Sequence, residues 1–144
     1  KNFKGFLYDS WQPIREKELL NEEDIKRQGN YDYLNISIIK KNLKDYEKNL
    51  IFNKGFIPEV LDHKTTQNPE KISWLHIDLN SAFPTSKALE FFYPKVEKNG
   101  IILFDDYGHK EYSETRKVIE FFFENKNVEF LNFMTGQAMI SKLE

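Results

Sequence analysis

Residues 74–107 read WLHIDLNSAFPTSKALEFFYPKVEKNGIILFDDY. Each end of this stretch is a short apolar run that stops on carboxylates. Asp78 closes the first run, and Asp105 with Asp106 closes the second. Between them Ala88, Leu89, Phe92 and Tyr93 recur at helical spacing. Asn80 or Ser81 can cap that helix, Pro84 fits its first turn, and Pro94 ends or bends it. The stretch is therefore a strand–helix–strand unit with acids at both strand ends. In open parallel sheets, ligands bind outside the carboxyl ends of the strands. Three carboxylates gathered there repel one another unless a cation or a shared proton neutralises them. Asp78 alone reads as a helix cap. Asp78 together with the Asp105–Asp106 pair reads as a site.

Outward from this unit the chain keeps alternating. Phe3 to Tyr8 reads as a buried strand with Asp9 at its carboxyl end. Ser10 to Asn30 is polar, with a helical turn expected around Glu16 to Lys26, and Trp11 and Pro13 are placed to flank a ligand. Tyr31 to Lys48 carries Ile36, Ile39, Leu43 and Tyr46 on one helical face. Asn49 to Lys54 is a strand, and Phe56 to Leu61 a helical turn. Asp62 to Lys71 is a polar loop, with His63 in solvent. Ile72 to Leu79 is the strand that carries Asp78. Asn99-Gly100 reads as a turn before a strand from Ile101 to Phe104. Glu114 to Asn125 reads as a helix with Val118, Ile119 and Phe122 inward. Val128 to Phe133 and Gln137 to Lys142 form a hairpin about Thr135-Gly136. Alternating strands and helices predict an α/β doubly wound, mostly parallel Rossmann-like sheet with a C-terminal antiparallel hairpin strand.

Composition narrows the class. The chain has 144 residues, enough for one domain with a core, and is 40% hydrophobic and 15% aromatic, which excludes general disorder. A formal net charge of -2 offers no basic field for nucleic acid and no basic amphipathic helix for membranes. With no cysteine, disulfides and thiolate metal sites are excluded. No apolar run has transmembrane length, so a cytoplasmic location is the default expectation.

The blocks WLHIDLN, PTSKALEFFYPKVEKNGIILFDDYG and TGQAMISK resemble class I S-adenosylmethionine-dependent methyltransferases, and within them the macrocin O-methyltransferase group. The resemblance spans about the whole chain and is strongest from Trp74 onward. It implies O-methyl transfer from S-adenosylmethionine to a small-molecule acceptor, a sugar or another polyol-bearing metabolite. It implies that Asp78, Asp105 and Asp106 hold a divalent ion, usually magnesium. It places Asp9 on the cofactor ribose hydroxyls, with Ser10 and Asp78 on the same cofactor side. Elementary chemistry agrees. A carboxylate can accept from a vicinal diol, and magnesium prefers hard oxygen ligands while keeping positions open.

The sequence departs from that group's pattern in two places. No Gly-x-Gly loop occurs, so the glycine-rich strand that cradles the cofactor's methionine part is missing. Residues 1–144 then read as one methyltransferase domain, incomplete at its N-terminus, and the open sheet edge invites pairing with a second copy. The acid that serves the group as general base falls on Asn80, and an amide takes up no proton near neutral pH. His109, just past the Asp105-Asp106-Tyr107-Gly108 turn, is the candidate base by position and ordinary pKa, and equally a loop histidine in solvent. His76 reads as buried and structural, and Tyr107 as either packing or substrate contact. Two other functions compete. One is a non-catalytic methyltransferase-like domain that binds a partner or ligand. The other is metal-dependent phosphoryl chemistry, which ranks below both because its paired acids usually follow a domain's first strand.

Overall fold

The computed structural model describes residues 3–16, 26 and 28–144. Six strands and three α-helices lie among them: β1 (Gly5–Asp9), α1 (Ile36–Asn42), β2 (Leu50–Lys54), β3 (Ile72–Ile77), α2 (Ala82–Phe92), β4 (Val96–Phe104), α3 (Ser113–Phe123), β5 (Val128–Asn132) and β6 (Ala138–Lys142). The helical turn expected around Glu16 to Lys26 falls outside the described residues, save its two end positions.

The sheet is in two pieces. β1 pairs with β2 in parallel, and a second sheet runs in the order β3-β4-β6-β5. β3 and β4 are parallel, and β6 is antiparallel to both β4 and β5. The parallel pairs and the reversed hairpin strand are those the alternation predicted. The division between β1 and β3 is the departure from one continuous sheet. Neither strand hydrogen-bonds across it, and a slot of about 700 Å³ lies between them. β1 and β3 line its two sides, and Trp11, Ile57, Ala88 and Phe92 close it. The carboxyl ends of both strands, Asp9 and Asp78, open on one cleft, so β1 points the same way as β3 and β4.

α2 buries Ala88, Leu89 and Phe92 of the stripe its spacing predicted, each at most 3% exposed, while Tyr93, in the 3-10 turn after it, is partly buried. The helix packs on the inner residues of β3, β4 and β6, including Ile77, Ile102, Phe104 and Ile140. Tyr8 on β1 meets Phe92 edge to face at 5.1 Å, which ties the two-stranded piece to this core. α3 turns Thr115, Ile119 and Phe123 inward: Ile119 is buried as expected, whereas Val118 and Phe122 are only partly buried.

Three further elements differ from the sequence reading. The helix expected from Tyr31 to Lys48 shortens to α1 followed by a 3-10 segment at Lys44–Asn49, and neither buries a residue fully. Asn35 caps α1 by accepting from the Ser37 N–H at 2.8 Å, which fixes the start later than Asn30 or Asp32 would. Asn99-Gly100 is no terminal turn. It is an irregularity inside β4, where the pairing jumps from Ile72–Val96 to Trp74–Ile101. Asn99 takes φ +62 there, and a Cβ on Gly100 would lie 2.8 Å from the Glu97 carbonyl. His76 is exposed rather than buried, because among the described residues β3 has no strand paired on its β1 side. No helix among the described residues is long and apolar enough to cross a membrane.

Candidate functional site

β3 and β4 end side by side, and their pairing sets the site. Ile77 lies opposite Phe104, so Asp78 and Asp105 are the next residues out on adjacent strands. Asp105 N–H still donates to the Ile77 carbonyl at 3.1 Å, which holds the two ends together. Beyond Phe104 the chain bends at once, through Asp105 to Gly108. In a continuing strand Asp105 and Asp106 would point to opposite faces. The bend instead turns both toward Asp78, and one ligand oxygen from each of the three acids lies within 4.8 Å of the others.

A loop-to-loop contact fixes that bend. Gly108 N–H donates to the Gly136 carbonyl at 2.6 Å, and a Cβ on Gly108 would sit 2.8 Å from Gly136 Cα. Only glycine allows this approach. The final hairpin turn is thereby seated against the acidic loop.

Two side-chain amides contact the acids. Asn80 Nδ2 donates to Asp78 Oδ1 at 2.9 Å and to Asp106 Oδ2 at 2.8 Å. Gln137 Nε2 donates to Asp105 Oδ1 at 2.7 Å. The register explains Gln137: Ala138 pairs with Phe104, so the preceding residue faces Asp105 across the antiparallel pair. Sequence reasoning gave Gln137 no role, although the hairpin turn and the strand end at Asp105 were both legible and together imply the facing.

The charges are poorly compensated. Burial pushes the Asp106 carboxyl up to about 6, with Asp78 and Asp105 adding to it and the Asn80 hydrogen bond opposing it. Burial, then the Asp105 charge, also raises Asp78. This is the electrostatic signature of a site short of positive charge. The donors fit a hard divalent ion. All three are carboxylates, the hard oxygen ligands magnesium prefers, and they converge on one point at the strand ends.

Asp9 and Ser10 line a cleft of about 200 Å³ with Asp78, Asn80, Tyr31 and Phe56. Asp9 Oδ1 accepts from the Trp11 N–H at 2.6 Å, and Ser10 Oγ donates to the Gln12 carbonyl at 3.1 Å. Trp11 does not flank this cleft. It is buried against Phe52 with ring centroids 6.1 Å apart. Tyr31 was not singled out by sequence. Its hydroxyl is raised first by burial and further by Asp106 and Asp78, which places it at the same edge.

His109 is exposed on the acidic loop, its N–H donating to the Asp106 carbonyl at 3.3 Å. Its ring lies against Gly136, where a Cβ would come within 2.8 Å of Nε2, and 6.4 Å from the Tyr112 ring. His76 Nε2 lies 4.0 Å from Asp105 Oδ1. Tyr107 is a packing residue: it is buried, and its hydroxyl donates to Glu120 at 2.8 Å. His63 is exposed on its loop, as expected.

The family described as Macrocin-O-methyltransferase (TylF) matches residues 2–133. No curated protein sequence matches the chain. Among solved structures, the O-methyltransferase NovP superposes with a TM-score of 0.79 at 18% identity, covering 100% of this chain and 62% of its own. The calicheamicin methyltransferase CalS11 superposes with a TM-score of 0.74 at 15% identity, covering 96% of this chain and 60% of its own. At such identities the likeness speaks for the fold, and the chain spans about three fifths of the length of either structure.

Proposed function

The chain belongs to the macrocin O-methyltransferase family, and from that premise we propose that the protein transfers a methyl group from S-adenosylmethionine to a hydroxyl of a small molecule, with a divalent ion, magnesium, at Asp78, Asp105 and Asp106. The observation that carries this reading is the convergence of those three acids within 4.8 Å at the carboxyl edge, beside the cleft of Asp9 and Ser10. The acceptor is a sugar or another polyol-bearing metabolite.

When bound, the ion supplies a positive charge that makes an acceptor hydroxyl more acidic, and the cofactor supplies the methyl group. The residues of this chain do the rest. Asp9 can accept from the ribose hydroxyls, at the oxygen that the Trp11 N–H does not occupy, and the turn it closes holds that carboxylate toward the cleft. Ser10 and Asp78 complete the same wall. Asp78, Asp105 and Asp106 would hold the ion at the carboxyl edge, beside the cleft. Asn80 donates both amide hydrogens to carboxylates and takes no proton. His109, on the same loop as Asp105 and Asp106, takes the hydroxyl proton at a ring nitrogen. The acceptor oxygen gains the methyl group, and the electron pair of the broken carbon–sulfur bond stays on sulfur.

A second reading rests on Asn80 and on the open slot between β1 and β3: a methyltransferase-like domain that binds a ligand or partner without turnover. One experiment separates the two. The complete protein is incubated with S-adenosylmethionine, magnesium and a panel of sugar nucleotides and glycosides, and S-adenosylhomocysteine is quantified. Acceptor-dependent product supports the enzyme. Cofactor binding with no product from any acceptor supports the binding module. The open edges of β1 and β3 also give a second copy a place to pair.

A further inference from the structure

We propose that Asn80 is a positioning residue, a neutral brace that sets the spacing of Asp78 and Asp106 so that the cation site is formed before the cation arrives. This role rests on the metal reading above. The geometry is specific. One side-chain nitrogen carries two hydrogens, and both are used, one on each carboxylate. The two acids belong to different strand ends, 28 positions apart in sequence, and Asn80 is the side chain that spans them. Asp78 and Asp106 repel each other, so unbraced side chains would rotate apart and the ion would have to gather them. A carboxylate at position 80 would accept only and would add a fourth negative charge. An amide of the same shape donates twice and adds none. Gln137 repeats the device on Asp105. Each of the three acids therefore has one oxygen that accepts from a side-chain amide.

The simpler role for Asn80 is conformational. Its backbone sits at φ +54, a region that asparagine tolerates better than most residues. Glycine tolerates it better still, so Asn80→Gly keeps the turn and removes only the brace. The complete protein and two variants, Asn80→Gly and Asn80→Asp, are compared with magnesium chloride by isothermal titration calorimetry. Each is also melted in chelator and in excess magnesium. Loss of an outer partner of a metal ligand commonly weakens binding by about 10–100-fold. Asn80→Gly is expected to show a loss of that size with an unchanged circular dichroism spectrum. Asn80→Asp is expected to melt earlier than wild type in chelator and to gain more than wild type from magnesium, because its added charge is relieved only by the ion. Magnesium affinity in Asn80→Gly equal to wild type would overturn the brace and leave Asn80 as a turn residue. A wild-type protein that takes up no magnesium would instead remove the metal reading, and the brace with it.

Discussion

Replacing Asp106 with asparagine should make the metal-free protein more stable, and only above acidic pH. Asp106 is 8% exposed, and burial raises its carboxyl from the ordinary 3.8 to about 6. Below pH 3.8 the group is protonated in folded and unfolded chains alike. Between 3.8 and about 6 the unfolded chain releases the proton and the folded chain keeps it, so stability falls as pH rises. Above about 6 the folded chain carries the buried charge at a constant cost. At 1.36 kcal/mol per pH unit, that interval comes to about 3 kcal/mol. Asparagine removes the charge and keeps an oxygen to accept from Asn80. In chelator at pH 7.5, Asp106→Asn should therefore melt roughly 5–10 °C above wild type. At pH 4 the two should nearly coincide. Other groups titrate in the same range, but the difference between the two proteins isolates Asp106. Excess magnesium should raise the wild-type melting temperature and leave the variant's unchanged. Thermal melts over pH 4–8 provide the assay. A variant no more stable than wild type at pH 7.5, or equally favoured at pH 4, would refute the reasoning.

The core predicts a contrasting loss: Leu89→Ala empties a fully buried site under β3 and β4 and should cost about 2–5 kcal/mol by denaturant unfolding, with no pH dependence. Gly136→Ala sets a side chain at φ +92 and 2.8 Å from His109 Nε2, so it should cost about 1–2 kcal/mol and displace the His109 ring, seen as a shifted imidazole resonance.

The strand–helix–strand unit at 74–107 was legible because its two periods switch cleanly and its acids fall at the ends of apolar runs. The stripe Ala88, Leu89, Phe92 follows from spacing alone. Whether Asp105 and Asp106 could both reach Asp78 was not legible, since alternation along a strand argues against it. The bend that decides the matter depends on Gly108 meeting Gly136, a contact between residues 28 apart in sequence. Gln137 was missed for the same reason: its partner is set by antiparallel register. The helix from Tyr31 was overread because Ile36, Ile39 and Leu43 have the right spacing but little to pack against. The exposure of His76 follows from the open edge of β3, which no local pattern reveals.

The most direct test of the metal-assisted reading is a magnesium titration of the complete protein loaded with S-adenosylhomocysteine, run on wild type and Asp105→Asn. Asp105 faces the cluster and accepts from Gln137, contacts that asparagine can partly keep, so the fold should stand. The proposal predicts one ion per chain in wild type and weaker magnesium binding in the variant, with methyl transfer from S-adenosylmethionine, assayed in parallel, falling too. Magnesium binding and turnover unchanged in Asp105→Asn would contradict it.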